Sequence, residues 1–85
     1  MAILDTIVEQ GRAGTEYAHQ CTAVVLQLLD SINTLIVAAE SVGADGTIEG
    51  ARQMLQATEE AKMYLESAEA KLAEITDQAN GLAGG

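Results

Sequence analysis

Residues 21–39, CTAVVLQLLDSINTLIVAA, form the one dense run of large aliphatic side chains in this 85-residue chain. Val25, Leu28, Ile32, Leu35 and Ala39 recur at alternating steps of three and four, the spacing of one helix face. Gln27, Asp30 and Asn33 fall on the opposite face, so the run is amphipathic. At the centre of a membrane span Asp costs about 2.5–3.5 kcal/mol, and the nearest bases, Arg12 and Arg52, lie far outside the run. The stretch reads as a soluble helix with a wide buried stripe, and no membrane insertion is expected.

The same register extends in both directions. Leu4, Ile7, Gly11, Gly14, Ala18, Cys21, Val25, Leu28, Ile32, Leu35, Ala39 and Val42 are all apolar or glycine at heptad spacing. Asp5, Glu9, Arg12, Glu16, His19, Gln20 and Glu40 fill outward positions. Thr6-Ile7-Val8-Glu9 has the form of a capping box, although the helix can begin as early as Ala2. A helix is therefore predicted over about 3–41. Residues 42–47 read as a turn, with Gly43 as a left-handed C-cap and Asp45 or Thr47 capping the next helix. A second helix is predicted over about 48–80, with Ala51, Met54, Thr58, Ala61, Leu65, Ala68, Leu72, Ile75, Ala79 and Leu82 on its seam. Residues 81–85 read as a flexible tail.

A short turn makes the two helices antiparallel, so the fold class is all-α, an antiparallel helical hairpin. Facing residues are expected to have numbers totalling about 89 or 90, pairing Leu28 with Ala61 and Gly14 with Ile75. Large mostly faces small in this register, as close packing requires. Further apolar side chains lie beside the seam: Val24, Leu29 and Ile36 on the first helix, Leu55 and Tyr64 on the second. They predict a second interface, and with it dimerisation into a four-helix bundle. A chain this short with a single cysteine, Cys21, has no internal disulfide, so a partner is the remaining route to stability.

Composition narrows the function classes. The net charge is −9, from 13 acidic against 4 basic residues. Phosphate-binding surfaces need clustered Lys and Arg, so nucleic acid is not an expected partner. The N-terminus lacks a basic n-region and a cleavage-type site, so cytoplasmic residence is expected, with export that uses no cleavable signal left open. Glu16 and His19 have the Glu-x-x-His spacing of di-iron carboxylate bundles; both point away from the seam and read as surface residues. Cys21, in the seam, reads as a small hydrophobe, and Tyr17 and Tyr64 as rings packed along its border. No cofactor or catalytic constellation is predicted.

A hairpin of two helices of about 40 residues, an acidic Pro-free surface and Ser41-Val42-Gly43 at the turn resemble the WXG-type, early-secreted-antigen-like substrates of type VII secretion. Ser41 stands where that family has Trp. Tyr64 is followed at the fourth position by Ala68, where the family's tail signal carries Asp or Glu. The resemblance implies a non-enzymatic interaction module, a secretion substrate or accessory hairpin, that pairs with itself or with a related hairpin. The alternatives are a self-assembling structural subunit, similar in length and form to type III secretion needle subunits, and a metal-binding bundle built on Glu16 and His19.

Overall fold

A computed structural model describes residues 2–84. Helix α1 (Ala2–Val42) and helix α2 (Asp45–Gly84) pack against each other as an antiparallel hairpin. The result is a rod of 63 × 14 × 13 Å with a radius of gyration of 18.9 Å. A globular chain of this length would measure about 12 Å. The rod therefore has more surface than a compact fold of the same mass.

The turn is tighter than the sequence predicts. Gly43 takes φ +68°, the left-handed conformation that is least costly for glycine. It donates its N–H to the Glu40 carbonyl, and Ala44 donates to the Ala39 carbonyl, at 3.3 and 3.0 Å. This pair of bonds is a Schellman cap and satisfies two carbonyls at the end of α1. The Ala44 carbonyl already accepts from Ile48 N–H at 3.0 Å. Ala44 is thus the N-cap of α2, while Asp45 and Thr47 lie inside the helix, where the Asp45 carboxylate complements the N-terminal dipole. Gly43→Ala forces an L side chain into the left-handed region and is expected to cost about 1–2 kcal/mol. A melting temperature within 1 °C of the parent, at equal protein concentration, would refute this role.

Of the outer ends, the first takes the earlier of its two expected starts and the second differs from expectation. No capping box forms: α1 begins at Ala2, and Thr6 Oγ1 donates to the Ala2 carbonyl at 3.0 Å instead. At the other end α2 continues through residues 81–84, which the sequence predicts as a tail. The register explains the extension. Gly11 lies against Thr76, numbers totalling 87, the same total as Gly43 and Ala44 in the turn. That total sets Leu4 opposite Ala83, so α2 has to run almost to its end for the first turns of α1 to have a neighbour. The expected totals of 89 or 90 followed from the longer turn.

Half of the predicted seam is in place. Gly11, Ala18, Val25, Ile32 and Ala39 on α1 and Ala51, Thr58, Leu65, Leu72 and Ala79 on α2 are buried or half-buried between the helices. With Gly11 assigned heptad position a, these are the a positions. The alternate layer is at e, not at d. Val8, Thr15, Thr22, Leu29 and Ile36 fill it on α1, and Ile48, Leu55, Lys62, Glu69 and Thr76 on α2. The expected seam residues Ile7, Cys21, Leu28, Leu35, Val42, Met54, Ala61, Ala68, Ile75 and Leu82 are exposed. Both helices are rotated by roughly 50° from the expected faces, at 100° per residue.

Two features stabilise this rotation. Small residues at a, namely Gly11, Ala18, Ala39, Ala51 and Ala79, let the backbones come close. Threonines at the seam turn their hydroxyls inward to their own helix: Thr15 donates to the Gly11 carbonyl, Thr22 to Ala18, Thr58 to Met54 and Thr76 to Leu72, at 2.7–3.0 Å. A hydroxyl bonded this way is satisfied and leaves its methyl to pack. The closest approach is at Gly11, where a Cβ would strike Thr76 Oγ1 and sit 3.2 Å from Thr76 Cβ. Gly11→Ala is expected to destabilise the chain by about 1–2 kcal/mol despite its gain in helix propensity. Gly50, with nothing within 4 Å of a built Cβ, is the control: Gly50→Ala should stabilise by roughly 0.5–1 kcal/mol. Melting shifts of the same sign would disprove the close approach.

Candidate interaction surface

In an antiparallel pair the same heptad letter falls on the same side of the hairpin, so the displaced d residues of both helices share one face with the g residues. Leu28 and Leu35 from α1 and Met54 and Ala57 from α2 border one groove, floored by Ile32 and Thr58. Tyr17, Cys21 and Val24 line a second groove on the same side. Ile3, Ile7, Tyr64, Ile75 and Leu82 extend the exposed apolar surface of this face along the rod, while Leu26, Val37 and Met63 are exposed away from it. By contrast, no described residue of large volume is completely buried within the hairpin. The exposed d positions are more apolar than the e positions packed in the seam, which include Thr15, Thr22, Lys62, Glu69 and Thr76.

Charge is segregated just as sharply. None of the 13 acidic residues stands at d or g. Lys71 is the one base there, and its Nζ lies 3.5 Å from Glu74 Oε2. The edge of the face on α1 carries Thr6, Gln20, Gln27, Thr34 and Ser41, polar but neutral. An apolar centre with a polar rim is the anatomy of a protein–protein interface.

Of the residues predicted for a second interface, Val24 and Tyr64 lie on this face and are exposed. Leu29, Ile36 and Leu55 do not: the rotation carries them into the seam, half-buried between α1 and α2. In their place the structure exposes Leu28, Leu35, Met54 and Ile75, which the sequence assigns to the seam. Cys21 is likewise a free, exposed thiol rather than a buried one, and the rings of Tyr17 and Tyr64 stand out from the rod rather than packing along its seam.

The opposite face is polar. Arg12, Glu16, His19, Glu69 and Asp77 border a shallow groove floored by Thr15 and Thr76. His19 Nδ1 lies 3.4 Å from Glu69 Oε1, an exposed contact between the helices; such pairs contribute well under 1 kcal/mol. Among the described residues, no group of three or more His, Cys, Asp or Glu side chains is arranged to hold a metal ion. Glu16 and His19 are exposed, and the Glu-x-x-His spacing brings no third ligand with it.

By length and composition α1 could also cross a membrane, with an 18-residue window of mean hydropathy 1.7. That hydropathy comes from the seam, from the stripe at d and g, and from Leu26 and Val37 on the other sides of the helix. No family model matches the chain, and neither curated proteins nor solved structures show significant similarity to it.

Proposed function

We propose that this chain is a non-enzymatic protein–protein interaction module that docks another helical hairpin against its d and g face, completing a four-helix bundle. The observation that carries the reading is the exclusion of all 13 acidic residues from that face. A solvated face has no need to exclude them, and a chain of net charge −9 repels another acidic chain least along a strip without carboxylates. Surface area agrees. The hairpin exposes 5910 Å², whereas a compact monomer of 8.9 kDa exposes about 4,800 Å².

The WXG-type resemblance supports the same class, with a secretion substrate or accessory hairpin, held in the cytoplasm or exported without a cleavable signal, as its biological form. A spanning α1 is disfavoured by Asp30 and by the many acids of α2, which would lose their partner helix. Flotation with phosphatidylcholine vesicles tests the class. The wild-type chain is expected to stay in the soluble fraction. Flotation that is lost on Leu28→Asp would assign the face to lipid and overturn the module reading.

A further inference from the structure

We infer that the hairpin docked on the d and g face is a second copy of this chain, related by a two-fold axis along the rod, with both turns at the same end. The inference rests on the reading of that face as a protein-docking surface and adds the occupant and its orientation.

The two helices contribute unequally to the face. Near the middle, α1 presents Val24 and Leu28 beside the smaller Cys21, while α2 presents Ala57, Ala61 and Ala68 around one large ring, Tyr64. A two-fold axis along the rod lays α1 of each copy on α2 of the other, so bulky residues meet small ones. The register fixes where they meet, because a residue of α1 is level with the α2 residue that completes a total of 87. Leu28 then enters between Ala57 and Ala61 of the partner subunit. Cys21 falls between Tyr64 and Ala68 of the partner subunit. Ile75 of the partner subunit covers Gly14, the one small residue in that stretch of the α1 stripe. The axis repeats each contact, as an isologous interface requires.

The other arrangement, with the axis across the rod and the turns at opposite ends, lays α1 on α1 and α2 on α2. It sets Tyr64 against Tyr64 of the partner subunit with alanines on either side, and crowds Leu28 against Tyr17 of the partner subunit. Complementarity favours the first arrangement. The area suffices as well: the 63 × 14 Å face covers about 900 Å² in projection, close to the 800 Å² or so that each side of a standard interface buries. Covering it removes most of the surface by which the hairpin exceeds a compact monomer.

The test combines mass with orientation. Light scattering at micromolar concentration is expected to give twice the chain mass of 8.9 kDa. Leu26 and Leu28 are 46% and 48% exposed, on opposite sides of the rod, and form a matched pair. Leu28→Asp is expected to weaken dimerisation at least a hundredfold, whereas Leu26→Asp leaves the mass unchanged. Should Leu28→Asp fail to fold, the wild-type melting temperature decides: it rises with protein concentration for a dimer, and a constant value overturns the inference.

For orientation, Cys21→Ala combined with Gly46→Cys gives one spin label beside each turn. Labels about 20 Å apart, as two adjacent helix pairs spaced at 8–10 Å imply, support the axis along the rod. A separation near the 63 Å length of the rod overturns it. A monomeric wild-type chain that ignores vesicles defeats self-pairing alone and leaves the module reading to a related hairpin. A monomer that floats with vesicles defeats both.

Discussion

Ile32→Asp is expected to abolish the helical circular dichroism of the chain at 25 °C. Ile32 is 5% exposed, the most buried large side chain of the hairpin, and the register sets it opposite Leu55 at the widest apolar part of the seam. Truncating such a residue costs about 2–5 kcal/mol through lost transfer energy and the cavity it leaves. Burying a carboxylate without a partner costs several kcal/mol more, or forces its protonation. No base lies nearby to compensate: Arg52 is at b and Lys62 is engaged with Glu66 at 3.2 Å. Together these exceed the stability of a chain this small. Val37, exposed on the outer side, is the control, and Val37→Asp should move stability by less than about 0.5 kcal/mol. A folded Ile32→Asp chain with a parent-like melt would mean that the seam lies elsewhere.

Ala51→Leu is expected to produce the second-largest loss, about 3 kcal/mol, at the upper end of the range for overpacked cores. Ala51 is 1% exposed, less than any other described residue named among the core, and its partner by register is Ile36. Three further carbons have no cavity to enter, so the helices must separate next to the turn, where Gly43 and Ala44 permit the least adjustment. Ala70, on the exposed outer side of α2, accepts the same change almost freely, because Leu and Ala are both strong helix formers. Melting curves of the two variants at one protein concentration separate packing from propensity. Similar midpoints would refute tight packing at Ala51.

The hairpin was legible in the sequence because its strongest signals are local. Heptad spacing without proline defines two long helices, and Gly43 marks the turn between them. The a positions were legible as well, since every plausible stripe passes through them. The choice between d and e was not. Apolar character alone favours d, where Leu28, Leu35, Met54 and Ile75 stand, over an e layer holding Thr15, Thr22, Lys62 and Glu69. Two effects override it: threonine hydroxyls that bond their own helix count as apolar when packed, and lysine can bury its stem while its ammonium stays wet. The register missed by two or three residues because Asp45 and Thr47, both good caps, suggested a longer turn, whereas the Ala44 carbonyl begins α2 with no side-chain cap at all. The candidate interface was half-legible for the same reason: Val24 and Tyr64 sit at g and remain outside under either rotation, while Leu29, Ile36 and Leu55 exchange places with the d residues.

The two-residue turn also dictates an order of assembly. Ala39 and Ile48, the layer nearest Gly43, are separated by nine residues of chain, whereas Val8 and Ala79 at the open end are separated by 71. Bringing the distant pair together first costs about 2 kcal/mol more in loop-closure entropy than starting beside the turn. Folding is therefore expected to proceed as a zipper from Gly43 outward, each closed layer shortening the loop that the next must close. In the native state the same asymmetry leaves the amides of the open end to exchange by local fraying, while those beside Ala39 and Ala51 exchange only when the whole rod comes apart.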